Sequence, residues 1–507
     1  MIETILKSFK FVKPVRTRFA PSPTGFLHIG SARTALFNYL FAKKNKGIFV
    51  LRIEDTDKER SQKHFEEDII NNLKLLGLEW DEMYKQSQRT DVYKKYLKKL
   101  LDEGKAYYCF CSQEELKAKR QEQMSRGEAP KYDGKCSILS KEEVEKKLKT
   151  NNHIIRFRVA PEKISFVDRI RGKVEFDTKL IGDIAIAKNL NTPLYNFSVV
   201  VDDYEMEITH VIRGEDLMPN TPKQILLQEA LGFPKIEYAH LPLILGTDKS
   251  KMSKRDGAIS VKDYLDKGYL VEAIINFLAF LGWNPGTNKE IISLSSLIKN
   301  FSLDKVQKSG AIFNIKKLDY LNGFYIRQKS LDKLTELCIP YLVKDGLIDP
   351  VIKSEQIPPS YGGTAISYDY KISETGENIS FNKLKEIVQL YQERLKTLSE
   401  IPELTEFFFK DKLEYDKDQT LWKNMTKQEL ATTIDNIINI LSKINGWNRK
   451  TLERILILEA EKTGDRGKLL WPMRYILSAK KASASPFEIA EVLGREKTLK
   501  RLKEYEV

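Results

Sequence analysis

The sequence lacks the usual nucleotide-binding signatures: its 507 residues contain no GxxxxGK[ST] loop and no GxGxxG fingerprint. P-loop NTPases and the common dinucleotide-binding enzymes are excluded on that ground. No run of about 18 apolar residues occurs, so nothing reads as a membrane span. Residues 1–15 carry Lys7, Lys10 and Lys13 beside Glu3, without the apolar core of a secretory signal or the Arg-rich pattern of a transit peptide. A cytosolic protein is expected. Cysteine is scarce. Cys109, Cys111, Cys136 and Cys338 make no evenly spaced framework, and the clustering of three of them suggests a reducing compartment and a metal site, not disulfides.

Hydrophobic residues make up 41% of the chain, enough to build cores, and one domain per ~150 residues gives three or four domains. The formal net charge is +13 and the pI about 9.1. A basic surplus of that size favours a polyanionic partner held through its phosphates. A lysine-rich composition with no binding role fits it equally well.

From Pro14 to about Thr90 strand and helix alternate. Val15–Ala20 reads as a strand and Pro21-Ser22-Pro23-Thr24-Gly25 as a turn. A helix over Ser31–Lys43 follows, with Ala32, Ala35, Leu36, Tyr39 and Leu40 at helical spacing. Gly47 stops it, and Ile48–Ile53 makes a buried strand. Strand–helix–strand at these lengths is a βαβ unit of a parallel, Rossmann-type sheet. Ile208–Arg213 supplies a later strand, so residues 94–196 read as an insertion. After about residue 262 the strand signals fade: Leu270–Leu281, Phe381–Leu398 and Lys427–Ser442 have helical periodicity, and Lys353–Ser380 reads as a loop.

Two segments carry candidate chemistry. His28-Ile29-Gly30-Ser31 puts a histidine between the first strand and the first helix, where free backbone N–H groups and the helix dipole attract anions. Gly30 leaves room there for a ligand to approach. More than 200 residues later, Lys251-Met252-Ser253-Lys254-Arg255 lies between Gly246 and Gly257 and suits a mobile clamp on a triphosphate. Alone, the first reads better as a structural turn and the second as a solvated basic loop.

Together the two segments resemble the class I aminoacyl-tRNA synthetases, whose His-Ile-Gly-His and Lys-Met-Ser-Lys-Ser signatures frame an ATP site. Ser31 replaces the second histidine and Arg255 the final serine, departures usual in the glutamyl and glutaminyl branch. Arg18-Phe19-Ala20-Pro21-Ser22-Pro23-Thr24-Gly25, Arg52-Ile53-Glu54-Asp55-Thr56-Asp57, Val201-Asp202-Asp203 and Val211-Ile212-Arg213-Gly214-Glu215-Asp216 also look like that branch. The helical C-terminal third resembles its bacterial glutamyl members, since the glutaminyl enzymes usually end in β-barrels.

The resemblance implies an enzyme that activates L-glutamate with ATP and Mg²⁺, then transfers it to the terminal adenosine of tRNA(Glu), releasing AMP and diphosphate. It implies His28, Lys251 and Lys254 as catalytic residues, with ATP also touching Pro21, Gly30, Asp216, Ser253 and Arg255. Glutamate needs two cationic anchors and an acid: Arg18, with the Tyr195 hydroxyl, for the γ-carboxylate and Arg213 for the α-carboxylate. Ala20 lines the pocket, and Glu54 and Ser22 take the ammonium. Glu54 is also readable as a strand-end ion pair with Arg52.

The expected architecture is a multidomain α/β protein with a Rossmann-type catalytic domain in two halves, 1–93 and 197–262. An inserted acceptor-binding domain occupies 94–196, a helical connecting domain 263–330 and an all-helical anticodon-binding domain 331–507. A monomer with no membrane partner is expected. Three thiolates, Cys109, Cys111 and Cys136, can hold Zn²⁺, but a closed site normally has four ligands. Ile138 stands where many relatives have a ligating histidine. Some relatives instead use Cys-x-Cys…Tyr-x-x-x-Cys, which Cys109, Cys111, Tyr132 and Cys136 match; buried small residues without metal are the alternative. A glutaminyl enzyme and a non-catalytic tRNA-binding relative remain as other functions.

Overall fold

The structure is a computed structural model and describes residues 13–250, 260–351 and 370–507. It forms two compact units, Met1–Leu265 with Val271–Leu318, and Asp266–Leu270 with Asp319–Val507.

The first unit begins with β1 (Arg16–Phe19), α1 (Ile29–Lys44), β2 (Ile48–Ile53), α2 (Lys63–Leu75), β3 (Glu82–Lys85) and α3 (Thr90–Asp102). Next come β4 (Ala106–Cys109), α4 (Gln113–Ser125), α5 (Lys141–Leu148), β5 (Ile154–Phe157), β6 (Lys163–Asp168), β7 (Gly172–Asp177), β8 (Ile184–Asn189) and β9 (Thr192–Pro193). α6 (Tyr195–Glu205), β10 (His210–Gly214), α7 (Thr221–Leu231) and β11 (Glu237–Leu241) follow and complete the strands of the large sheet. A seven-stranded sheet has the order β3-β2-β1-β10-β11-β6-β7. All neighbours in it are parallel except the β6–β7 hairpin. The chain builds outward from β1 in one direction and from β10 in the other, so the strand order reverses between β1 and β10. In open α/β sheets ligands bind at such a reversal, beyond the carboxyl ends of the strands.

β2 is a nearly continuous apolar run because both faces of a parallel sheet are covered. α1 covers one face through Ile29, Ala32, Ala35, Leu36 and Leu40, all buried. Within 94–196, β4, β5, β8 and β9 form a separate four-stranded sheet, whereas β6 pairs with β11 of the large sheet and β7 pairs with β6 at its edge. The expected insertion thus contributes two strands to the large sheet.

The second unit is dominated by helices, among them Leu331–Lys344, Phe381–Gln389, Lys427–Ser442, Arg449–Lys462, Gly467–Ser478 and Arg495–Glu504. Thr426 starts Lys427–Ser442 with a reciprocal capping box to Glu429. The region is not all-helical. Ile348–Pro350, Tyr370–Ile372 and Asn378–Ile379 form a three-stranded antiparallel sheet whose Ile348, Tyr370, Ile372 and Ile379 are buried. Strands of two or three residues are too short to show alternation, so part of Lys353–Ser380 reads as loop; residues 353–369 of it lie outside the described residues. The helix expected over Phe381–Leu398 stops at Gln389, although Tyr391, Leu395 and Leu398 beyond it stay buried.

The stop at Gly47 has a different cause from a helix cap. Lys46 takes the left-handed conformation (φ 51°), and a Cβ on Gly47 would lie 2.1 Å from the Val15 carbonyl oxygen, where Ile48 N–H already donates at 2.8 Å. Gly47→Ala is expected to cost about 1–3 kcal/mol by forcing β2 from β1. The check is a lower urea midpoint with little change in slope.

Candidate active site

Strand alternation gathers the charged residues. Arg18 lies opposite Val50, and Arg52 is two residues further along β2, so both side chains leave the same face. Thr17 pairs with His210 on the other face, which puts Val211 and Arg213 on the face of Arg18. α6 packs there and brings Asp202 and Asp203, both buried. Asp203 Oδ1 accepts from Arg18 Nε at 3.1 Å and from Arg52 Nη1 at 2.7 Å. Asp202 accepts from Arg89 Nε at 2.7 Å, Tyr93 Oη at 2.8 Å and Gln86 Nε2 at 2.8 Å. Two acids in the last turns of a helix oppose its dipole; the arginines around them reverse that penalty. Burial works to raise the Asp203 carboxyl, but the guanidinium groups of Arg18 and Arg52 outweigh it and hold it below the usual carboxylate range.

Arg52 also donates to Glu54 Oε1, from Nη2 at 3.1 Å and Nε at 3.3 Å. Glu54 therefore does form the ion pair with Arg52, and it also faces the cavity. Burial pushes its carboxyl upward, against the pull of Arg52 and Arg18. Arg213 is held differently: Nη1 donates to Gln224 Oε1 at 2.8 Å, Nη2 to Thr221 Oγ1 at 2.7 Å and Nε to His240 Nε2 at 3.1 Å. Burial lowers its pKa. Tyr195 opens α6; burial and the nearby Glu54 raise its hydroxyl pKa.

These groups meet in a cavity of about 330 Å³ at the sheet reversal, a size suited to a small ligand. Arg18, Ala20, Pro21, Ser22, His28, Gly30, Glu54, Tyr195, Arg213 and Asp216 all line it. His28 is the N-cap of α1: its Nδ1 accepts from the Ser31 N–H at 3.3 Å, and Nε2 lies 2.9 Å from Ser31 Oγ. With Nδ1 accepting, a neutral ring carries its proton on Nε2 and is a donor. A Cβ on Gly30 would come within 3.1 Å of that ring, so the glycine makes room for the histidine itself. Lys251, Ser253, Lys254 and Arg255 lie outside the described residues.

Sequence reasoning missed Arg33. It is buried, lines the cavity and donates to the Pro242 and Leu281 carbonyls at 2.6 and 3.2 Å; burial lowers its pKa to about 10. The available signal was its position one turn before Leu36 and Phe37, on the apolar stripe of α1. In the second unit, Trp447 and Trp471 donate their indole N–H to the Ala490 and Gln419 carbonyls at 2.9 and 2.8 Å.

The three cysteines of the insertion converge. Cys109, Cys111 and Cys136 sulfurs lie within 4.8 Å of one another, with Cys111 and Cys136 3.6 Å apart. Tyr132 Oη lies 3.4 Å from Cys109 Sγ and 3.5 Å from Cys111 Sγ.

A mostly parallel sheet with a histidine-capped helix and buried guanidinium groups at its reversal has the features of an enzyme site open to a small anionic ligand. The chain belongs to the class I tRNA synthetases for glutamate and glutamine. Residues 14–320 match the family model described as "tRNA synthetases class I (E and Q), catalytic domain", and residues 333–505 match an anticodon binding domain. The chain is similar to glutamate–tRNA ligase 1 of Caldicellulosiruptor saccharolyticus (45% identical, covering 96% of this chain and 98% of that one). The glutamate–tRNA ligase of Carboxydothermus hydrogenoformans is 42% identical over 96% of this chain and 99% of its own. The crystal structure of a glutamate tRNA ligase from Elizabethkingia meningosepticum in complex with its amino acid superposes with a TM-score of 0.82 at 33% identity, over 97% of this chain and 99% of that one.

Asp203→Asn leaves two buried guanidinium groups sharing a neutral acceptor. It is expected to destabilise the first unit by about 3–5 kcal/mol, the cost of removing one partner from a buried ion pair, measured by urea unfolding of the full chain.

Proposed function

We infer that this protein is a ligase that joins L-glutamate to tRNA at the expense of ATP. The observation that carries the substrate assignment is the pair of buried guanidinium groups, Arg18 and Arg213, facing one cavity that Tyr195 and Glu54 also line. Glutamate has two carboxylates and one ammonium, and this donor set matches that charge pattern. In our reading Arg18 and Tyr195 take the γ-carboxylate, Arg213 the α-carboxylate, and Glu54 with Ser22 the ammonium.

ATP occupies the α1 end of the same cavity, against Pro21, His28, Gly30 and Asp216; the family resemblance assigns Lys251, Ser253, Lys254 and Arg255 to its phosphates. The glutamate α-carboxylate attacks the α-phosphorus and diphosphate departs. A hydroxyl of the terminal tRNA adenosine then attacks the activated carbonyl, releasing AMP. His28, as an Nε2 donor, together with Lys251 and Lys254 offsets charge on the phosphoryl oxygens. Mg²⁺ supplies further neutralisation of the triphosphate when bound. The groove lined by Lys119, Arg120, Lys131 and Lys223 suits the acceptor-end phosphates. We propose the finer division at 94–196 and 263–330 as acceptor-binding and connecting domains, and a cytosolic monomer.

A zinc ion fits the cysteine cluster. Tetrahedral Zn²⁺ at about 2.3 Å from sulfur and 2.0 Å from oxygen sets ligand–ligand spacings of about 3.8 and 3.5 Å, close to the 3.6, 3.4 and 3.5 Å found here. Cys109, Cys111, Cys136 and the Tyr132 oxygen would hold it, and the Cys136 N–H donating to Tyr132 Oη at 3.0 Å would stabilise a phenolate. Its contribution is to stiffen the fold. Metal analysis should find about one zinc per chain, lost in Cys111→Ser; unchanged content in the variant removes the proposal.

The function is tested by aminoacylation of purified tRNA isoacceptors. Charging of tRNA(Glu) with glutamate is expected. Charging with glutamine and none with glutamate would overturn it.

A further inference from the structure

Behind the cavity, away from its lining, stands a buried chain of polar groups that the reaction does not use directly. His240 lies opposite Arg213 in the β10–β11 register, and Tyr238 opposite Asp168 in the β11–β6 register. His240 and Asp168 are both buried. His240 Nδ1 is 2.7 Å from Asp168 Oδ2, and His240 Nε2 is 3.1 Å from both Arg213 Nε and Thr221 Oγ1.

The proton positions follow from the partners. A carboxylate only accepts, so His240 carries its proton on Nδ1 and donates it to Asp168. Its Nε2 then holds a lone pair facing Arg213, whose Nε–H can only donate. The neutral imidazole is the form that satisfies both neighbours. Burial lowers the His240 pKa, with the Asp168 hydrogen bond opposing that shift.

We propose that Asp168 and His240 are positioning residues for Arg213, fixing its guanidinium toward the amino-acid cavity through a neutral imidazole. This rests on the assignment of Arg213 to the substrate carboxylate. The device has a purpose that direct pairing would not serve. Among the described residues no carboxylate lies within ion-pair distance of Arg213; its fork is held by Gln224, Thr221 and His240, all neutral. Arg18 and Arg52, by contrast, pair directly with Asp203. Arg213 is thereby oriented on three sides while its charge stays available to an incoming carboxylate. Asp168 sets the imidazole tautomer from the far side. Its carboxylate also accepts the backbone N–H groups of His240, Ile170 and Arg171, so a purely structural role must be separated from the positioning one.

Asp168→Asn makes that separation. The amide keeps an acceptor oxygen for Ile170 and Arg171 but presents N–H toward His240 Nδ1, driving the imidazole proton to Nε2, where it confronts Arg213. In aminoacylation by the full chain, Asp168→Asn is expected to raise the glutamate KM at least about tenfold and leave the ATP KM within about twofold. Nitrogen-15 spectra of the imidazoles, five in the chain, should show the His240 proton moving from Nδ1 to Nε2. His240→Gln keeps a carbonyl acceptor beside Arg213, so its glutamate KM should lie nearer wild type than that of His240→Leu. That pair decides the matter if Asp168→Asn does not fold. Arg213→Lys is the control for the underlying assignment: an unchanged glutamate KM there means that Arg213 is not the anchor. A raised glutamate KM in Arg213→Lys, with Asp168→Asn unchanged or raising both KM values equally, overturns the positioning proposal.

Discussion

Burying guanidinium groups is the constraint around which the first unit is built. Arg16, Arg18, Arg33, Arg52 and Arg213 are all buried, and a buried charge is costly unless hydrogen bonds or opposite charges compensate it. They are compensated in different ways, and Arg33 Nε is left without a hydrogen-bond partner among the described residues. Arg16 has a two-point pair with Glu82 at 2.9 and 2.7 Å, and Arg52 draws on both Asp203 and Glu54. Arg18 shares Asp203 with Arg52. Arg33 is met by backbone carbonyls and Arg213 by neutral side chains. Of these five, the three with the least anionic compensation, Arg18, Arg33 and Arg213, line the cavity, whereas Arg16 and Arg52 do not; Arg156, buried elsewhere in the unit, donates to the Asp183 carbonyl. The cavity therefore keeps a positive field that carboxylate or phosphate groups can balance.

Sheet geometry makes this concentration of charge feasible. Parallel register sends Arg18, Arg52 and Arg213 to one face, and α6 supplies the acids from above it. On the opposite face α1 is apolar along its stripe, and its N-terminus reaches the same end of the strands. One reversal of strand order thus brings together a cationic pocket and a helix N-terminus, the two anion sites that an adenylation reaction joins. Asp202 ties this face to α3 through Tyr93 and to the preceding turn through Arg89 and Gln86, coupling the start of the 94–196 segment to the floor of the cavity.

Elements with a strong local signal were legible in the sequence. The run Ile48–Ile53 is β2 to the residue, and Lys427–Ser442 is a helix over the same span because its cap and apolar spacing agree. The cavity lining was legible through motif resemblance: Arg18, Ser22, His28, Glu54, Tyr195 and Arg213, distant in sequence, do converge. Long-range pairing was not. Nothing local tells that β6 leaves its own segment to pair with β11, or that Asp203 serves two arginines while its neighbour Asp202 serves a third. Arg33 sat on a helix stripe where apolar residues drew attention. The sheet at Ile348–Ile379 escaped because its strands are shorter than the period that would reveal them.

In the proposed function Arg18 and Arg213 divide the two carboxylates of one glutamate. The direct measurement is competitive inhibition of aminoacylation by glutamine and by the α-amide of glutamate, each altered at a single carboxylate, in the wild-type protein and in Arg18→Gln and Arg213→Gln. Arg18→Gln is expected to lose discrimination against glutamine only, and Arg213→Gln against the α-amide only. Equal weakening of all ligands in both variants, or the crossed pattern, would contradict it.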